Sequence, residues 1–167
     1  STARIIEPTY RTDFPQHVDE IVVFDAEMLN TRPEDEEDQK NFTPLYGCLK
    51  TIIPTEYGES WFCEGVMPGE EQFNAFREAL RERNWYYWSN SNDDYTLTDS
   101  HQGEDAQPLP AFYFVISAPR SVSKGDIDKT LHELTADWKH PLCWWRLAKE
   151  AGANEEKHVA ISERYGM

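Results

Sequence analysis

Runs of apolar residues at strand length dominate the first two thirds of the chain, and apolar residues at helical spacing appear in the last third. The stretch "IVVFDAEML" (21–29) lies in a strand predicted over about 20–29 and is apolar except for Asp25 and Glu27. Residues i and i+2 of a strand share a face, so the two carboxylates project together. "LYGCLKTII" (45–53) and "SWFCEGV" (60–66) flank "PTEYGE", a spacing that predicts a hairpin with a longer turn. "NWYYWS" (84–89) reads as a strand, "DYTLTD" (94–99) as a more exposed one and "AFYFVIS" (111–117) as a central one. After the break at Pro68-Gly69, Phe73, Phe76 and Leu80 recur at helical spacing, which predicts a helix over 70–83 with Glu70 and Glu71 facing its first-turn dipole.

A second stripe of Ile127, Leu131, Leu134 and Trp138 predicts a helix over 124–138, opened by Ser123 and Asp126 as a capping pair. A short helix follows Pro141 and ends at Gly152, and "KHVAISERYGM" closes the chain as a strand or a helical tail. Residues 1–19 hold Pro8 and Pro15 and no clear period, so they read as an N-terminal extended arm. The expected fold is a single compact α+β domain over 20–167. It has a mixed or mostly antiparallel sheet of about 5–7 strands and two or three helices.

Composition adds an aromatic core: six Trp, eight Tyr and eight Phe are too many for a chain that stays unfolded. No apolar run reaches the roughly 18–20 residues of a membrane span, and no stretch resembles a signal peptide. The expected setting is therefore cytoplasmic. Cys48, Cys63 and Cys143 are scattered through apolar stretches and are expected to be reduced thiols of the core.

Charge changes the functional picture most. Thirty-one acids against sixteen Lys and Arg leave −15 at neutral pH. A field of that sign repels nucleic acid and anionic membranes and steers basic partners inward. Glu34, Asp35, Glu36, Glu37 and Asp38 form an unbroken acidic run, read as a solvated loop and as the electrostatic hook for a basic protein. Trp144 and Trp145 stand about 100° apart on a helix, so both are buried only where the helix is covered on two sides. If one is exposed, it serves as an interface anchor. The sequence thus points to an acidic protein-binding module that neutralises a basic nuclease, toxin or DNA-binding protein, as an inhibitor, an immunity factor or a DNA mimic. Glu34–Asp38, Trp144 and Trp145 are its candidate binding residues, and this reading needs no cofactor. Direct nucleic-acid binding is disfavoured. "WYYW" (85–88) has no interleaved basic residues, and Arg77, Arg81 and Arg83 are expected to pair with neighbouring acids on one helix.

Most catalytic arrangements are missing. There is no G-x-S-x-G, no H-E-x-x-H among His17, His101, His132, His140 and His158, and no Gly-rich phosphate loop. Two-metal phosphoryl chemistry needs convergent carboxylates, and Asp25 with Glu27 offers a first pair. The apolar strand bearing D-x-E in "FDAEM", followed by "SNSNDD" and "HVAISE", resembles the DEDD-type 3′–5′ exonucleases of the RNase H-like fold. The resemblance implies a site of Asp25, Glu27, Asp94 and Glu163 holding Mg²⁺ or Mn²⁺, with His158 activating water. Two positions depart from the family pattern: Glu163 stands where the family has Asp, and Ser89 stands where it has His.

Overall fold

The computed structural model describes residues 1–167. In chain order the elements are β1 (Thr2–Arg4), β2 (Ile21–Met28), α1 (Glu36–Lys40), β3 (Tyr46–Ile53) and β4 (Tyr57–Val66). Then come α2 (Glu70–Glu82), β5 (Tyr86–Ser89), β6 (Thr96–Leu97), β7 (Leu109–Pro119), α3 (Lys124–Leu134), α4 (Trp145–Ala151) and α5 (Glu155–Tyr165). The strands form two antiparallel sheets, one ordered β1-β2-β3 and one ordered β4-β7-β5 with β6 added to β7.

The second sheet organises the body. β4 and β5 both run antiparallel to β7, so they are parallel to each other, and α2 makes the crossover between them. After β7, α3 leads to Cys143, which forms an antiparallel bridge with Glu64 on the free edge of β4. This order is the split β-α-β arrangement, with its fourth strand reduced to a single bridge.

Alternation along the paired strands explains the two layers around this sheet. Trp61 and Cys63 on β4 share a face with Phe114 and Ile116 on β7, and that face meets Phe76 and Leu80 of α2 and Ile127 and Leu131 of α3. Trp138, Trp144 and Leu147 belong to the same sixteen-residue core. Each large apolar side chain taken out of water contributes about 1.5–3 kcal/mol, so this cluster carries most of the stability. On the opposite face the Ser60 and Ser117 hydroxyls pair at 2.6 Å, and Val115 is fully buried. The N-terminal arm lies over that face: the Tyr10 ring sits 4.9 Å from Phe62, and the Tyr86 hydroxyl donates to the Ile6 carbonyl at 2.9 Å. A smaller core of Val66, Leu97, Ala111, Cys143, Ile161 and Tyr165 docks α5 against the ends of β4 and β7.

Several local expectations hold. Ser123 accepts from the Asp126 N–H at the start of α3, and Gly152 ends α4 in the left-handed region at φ 68°. Others are corrected. The expected single sheet is divided in two, and there are five helices rather than two or three. β3 and β4 do not form a hairpin with each other. β3 pairs with β2, while β4, apolar on both faces, pairs with β7, where both faces are covered. The acidic run is not all loop. The Asp35 carboxylate accepts from the Glu37 N–H at 2.8 Å, and Glu36, Glu37 and Asp38 occupy the first turn of α1, where the dipole favours negative charge. α3 stops at Leu134, and the Thr135 hydroxyl turns back to the Leu131 carbonyl at 2.8 Å. The C-terminal segment is a helix. Cys48 is exposed rather than in the core, whereas Cys63 and Cys143 are buried, and all three are free thiols.

Gly65 tests the bridge that replaces the fourth strand. A Cβ there would come 2.9 Å from Leu142 Cδ1 and 3.3 Å from Leu142 Cα, whereas one at Gly58 meets nothing nearer than 3.6 Å. Chemical denaturation of Gly65→Ala should show a loss of about 1–3 kcal/mol, the cost of overpacking, and Gly58→Ala should lose much less.

Candidate functional site

The β1-β2-β3 sheet has almost no core of its own. Its root is fixed to the body by Glu20, a buried carboxylate that accepts from the His17 N–H at 3.1 Å and the Thr51 hydroxyl at 3.2 Å, with Arg120 at 3.4 Å. Val22 is buried beside it. Beyond that root the sheet becomes an open ribbon. Every residue of β3 except Gly47 is exposed. Successive strand residues alternate faces, so neither face of β3 is covered. Leu49 is 65% exposed and Ile53 55%, and Tyr46, Ile52 and Met28 are exposed as well. Leu29, at 73%, and Leu45 continue this apolar surface into the connection between β2 and β3. Exposed apolar residues scattered singly are ordinary, but here seven fall within one ribbon and its connection.

The same ribbon carries the acidic run. Between residues 25 and 40 there are seven carboxylates, Asp25, Glu27 and Glu34–Asp38, against two cations, Arg32 and Lys40. None of the seven forms an ion pair within the molecule. Asp25 instead accepts from the Glu27 N–H at 3.1 Å, next to an irregularity in the β2–β3 register. The cations of the body are mostly engaged. Arg146 lies 4.2 Å over the Trp61 ring, Lys124 meets Glu150 at 2.5 Å, and Arg164 holds Asp99 at 2.7 Å. Arg81 pairs with Glu78 as expected, but Arg77 stacks 3.7 Å over the Tyr87 ring instead of pairing with an acid.

The structure separates the residues expected from the exonuclease resemblance. Asp25 and Glu27 lie on the exposed half of β2, Asp94 in an exposed turn after β5, and Glu163 on the exposed side of α5. These four carboxylates belong to no common ligand cluster. His158 is fully buried and has different neighbours, Asp128 and His132 of α3, with one donor atom from each residue within 4.8 Å of the others. This is the one cluster of three or more ligand-bearing side chains in the protein.

Trp144 builds that cluster. Its backbone N–H donates to His158 Nδ1 at 3.2 Å, and its indole N–H donates to Asp128 Oδ1 at 2.7 Å. Its ring lies 4.5 Å from that of His158 and 4.7 Å edge-on to that of His132. Because Nδ1 of His158 accepts, the neutral ring carries its proton on Nε2. That Nε2 and the Nε2 of His132 are both buried and have no hydrogen-bond partner. Trp144 is thus a core residue, buried to 1% exposure, and is closed to a partner. Trp145 is the exposed one of the pair, at 43%, with Lys149 4.9 Å over its ring. The sequence offered one sign of the cluster: Asp128 and His132 are four residues apart on a predicted helix and so share a face.

Comparison with protein-family models, with curated proteins and with solved structures finds no match to this chain. No helix is long and apolar enough to cross a membrane.

Burial sets the titration of His158. Desolvation first, then the neighbouring His132, pushes its pKa down to about 4 from an ordinary value near 6.5. Its contribution to stability is therefore complete above pH 6.5. As pH falls from 6.5 toward 4, the unfolded chain takes up a proton that the folded chain refuses, and stability drops. The loss amounts to about 3 kcal/mol across that window. Urea unfolding in buffer containing EDTA should show this slope in the parent protein. The slope should be missing in His158→Gln, whatever that variant's absolute stability.

Proposed function

We propose that this chain is an acidic protein-binding module that neutralises a basic partner, such as a nuclease, a toxin or a DNA-binding protein, through its β2–β3 ribbon. One observation carries this reading: seven exposed carboxylates without an ion-pair partner lie on the same ribbon as a set of exposed apolar residues on both faces. The two features divide the work of binding. Charge accelerates encounter and sets which surfaces are tolerated, while buried apolar area holds the complex once formed. The partner that fits has a basic rim around an apolar patch. A duplex nucleic acid does not fit, since its phosphates meet carboxylates here and no basic side chains displace its condensed counterions. Carboxylates spaced along a ribbon can instead occupy the phosphate positions of a basic groove, which is how such a module competes with nucleic acid.

Affinity capture from the native source at low and high salt identifies the partner, and stopped-flow mixing then separates the two contributions. Neutralising the run with Glu34→Gln, Asp35→Asn, Glu36→Gln, Glu37→Gln and Asp38→Asn should slow association at low salt by about tenfold or more and flatten its salt dependence. Leu49→Ser with Ile53→Ser should leave association nearly unchanged and speed dissociation. If a captured partner binds both variants like the parent protein, the ribbon is not the interface.

A further inference from the structure

Apart from the ribbon, the feature of this molecule with unspent chemistry is the cluster beneath Trp144. Asp128 and His132 stand one helical turn apart on α3, and His158 reaches them from α5. Asp128 Oδ2 lies 3.7 Å from His132 Nε2, and all three donor atoms lie within 4.8 Å of one another. The Nε2 atoms of both histidines are buried without a partner. Buried polar atoms are nearly always paired, and one left alone carries a real cost. Two such atoms, on residues whose donor atoms lie within 4.8 Å of each other and of a carboxylate oxygen, mark this cluster as the place of a ligand.

We propose that Asp128, His132 and His158 bind a single divalent transition-metal ion of the zinc class. Two imidazoles and one carboxylate form a donor set that zinc takes with a fourth position left for water. Calcium and magnesium prefer oxygen ligands throughout, so the two nitrogens disfavour them. On a tetrahedral ion, donors held at about 2.0–2.1 Å stand about 3.4 Å apart. The Asp128–His132 pair is already close to that spacing, and ion binding draws His158 in toward it.

One supporting contact is in place, and one has to break. The Trp144 indole holds Asp128 Oδ1 and leaves Oδ2 to the ion, as a second-layer hydrogen bond to a ligating carboxylate does. His132 is partly exposed, which gives the ion an entry path and the ring room to adjust. His158 must give up the proton on Nε2. That proton moves to Nδ1, which then no longer accepts from the Trp144 N–H; the ring turns so that the two N–H groups separate, and the metal–nitrogen bond has to outweigh the lost 3.2 Å hydrogen bond. The bound ion ties α3 to α5 and fixes the C-terminal helix on the body. This site shares no residue with the ribbon, so either proposal can fail without the other.

The test uses the full chain, stripped with EDTA and titrated with Zn²⁺ by calorimetry, with Co²⁺ as a spectroscopic probe. The expected result is one ion per chain, a Co²⁺ visible spectrum of tetrahedral type, a raised melting temperature and histidine ¹⁵N shifts showing Nε2 ligation at His132 and His158. Replacing fully buried His158 endangers the fold, so His132→Gln is the deciding variant. It should keep the metal-free melting temperature within a few degrees and lose more affinity than the roughly 10–100-fold that removal of a merely supporting partner costs. Glu36→Gln on the ribbon should bind the ion like the parent. Absence of Zn²⁺ binding to the parent chain, or unchanged affinity and Co²⁺ spectrum in His132→Gln, overturns the proposal. The first result means that the three atoms enclose only water, and the second that the ion sits on surface groups.

Discussion

A strand buried on both faces must be covered twice, and β7 imposes that requirement on the rest of the molecule. Phe112, Phe114, Ile116 and Ala118 face one way, and Ala111, Val115 and Ser117 face the other, and all are buried. Helices α2 and α3 cover the first face with the sixteen-residue core. The second face meets a helix only at its Ala111 end, where α5 packs, and elsewhere the chain covers it with the irregular N-terminal arm, which brings Tyr10 over Phe62 and fastens to Tyr86. The arm is thus part of the body's packing. Its position also dictates where β2 emerges, because Glu20 and Val22 are the last residues the body can bury before the ribbon begins.

From that point the energetics reverse. The body is held by aromatic burial: Trp61, Phe76, Phe114 and Trp144 are each nearly or fully out of water. The ribbon is held by strand hydrogen bonds, by the Glu20 root and by a few contacts such as Phe24 on Tyr46, and most of its apolar side chains stay in water. A ribbon with Leu49 and Ile53 in water is costly to an isolated chain and useful to one that has a partner. On the proposed reading, the carboxylates on the same ribbon select the sign of what approaches. Both functional proposals rest on this division: the ribbon presents unspent apolar surface and charge outside, and the Trp144 cluster presents unspent ligand atoms inside.

The legible parts of the fold were the local ones. The Phe73–Phe76–Leu80 stripe marked α2 nearly to its ends, Ser123 marked the start of α3, and Gly152 the end of α4, because each depends on spacing or on a cap within a few residues. Pairing was not legible. β3 and β4 look like hairpin partners in sequence, yet β3 turns back to the preceding β2 and β4 finds β7 far along the chain, since β4 needs cover on both faces and β7 shares that need. The acidic run was readable as charge but not as a helix start, which required Asp35 to cap Glu37. Within the buried cluster, the i, i+4 spacing of Asp128 and His132 was visible. The arrival of His158 was not, because it depends on how Trp144 is seated between α3 and α5. The likeness of "FDAEM" and "HVAISE" to exonuclease motifs is a likeness of short strings, and the fold places Asp25 on the open ribbon and His158 in the core.

Native-state hydrogen exchange on the isolated chain tests most directly the claim that the molecule divides into a doubly covered β7 and an uncovered ribbon. On this account the amides of β7, above all Phe114 to Ser117, exchange only through global unfolding, while those of β3 from Tyr46 to Ile53 exchange far faster at low protein concentration. Protection of β3 equal to that of β7 in the isolated monomer would contradict the account, because it would mean that the ribbon is packed where the structure leaves it open.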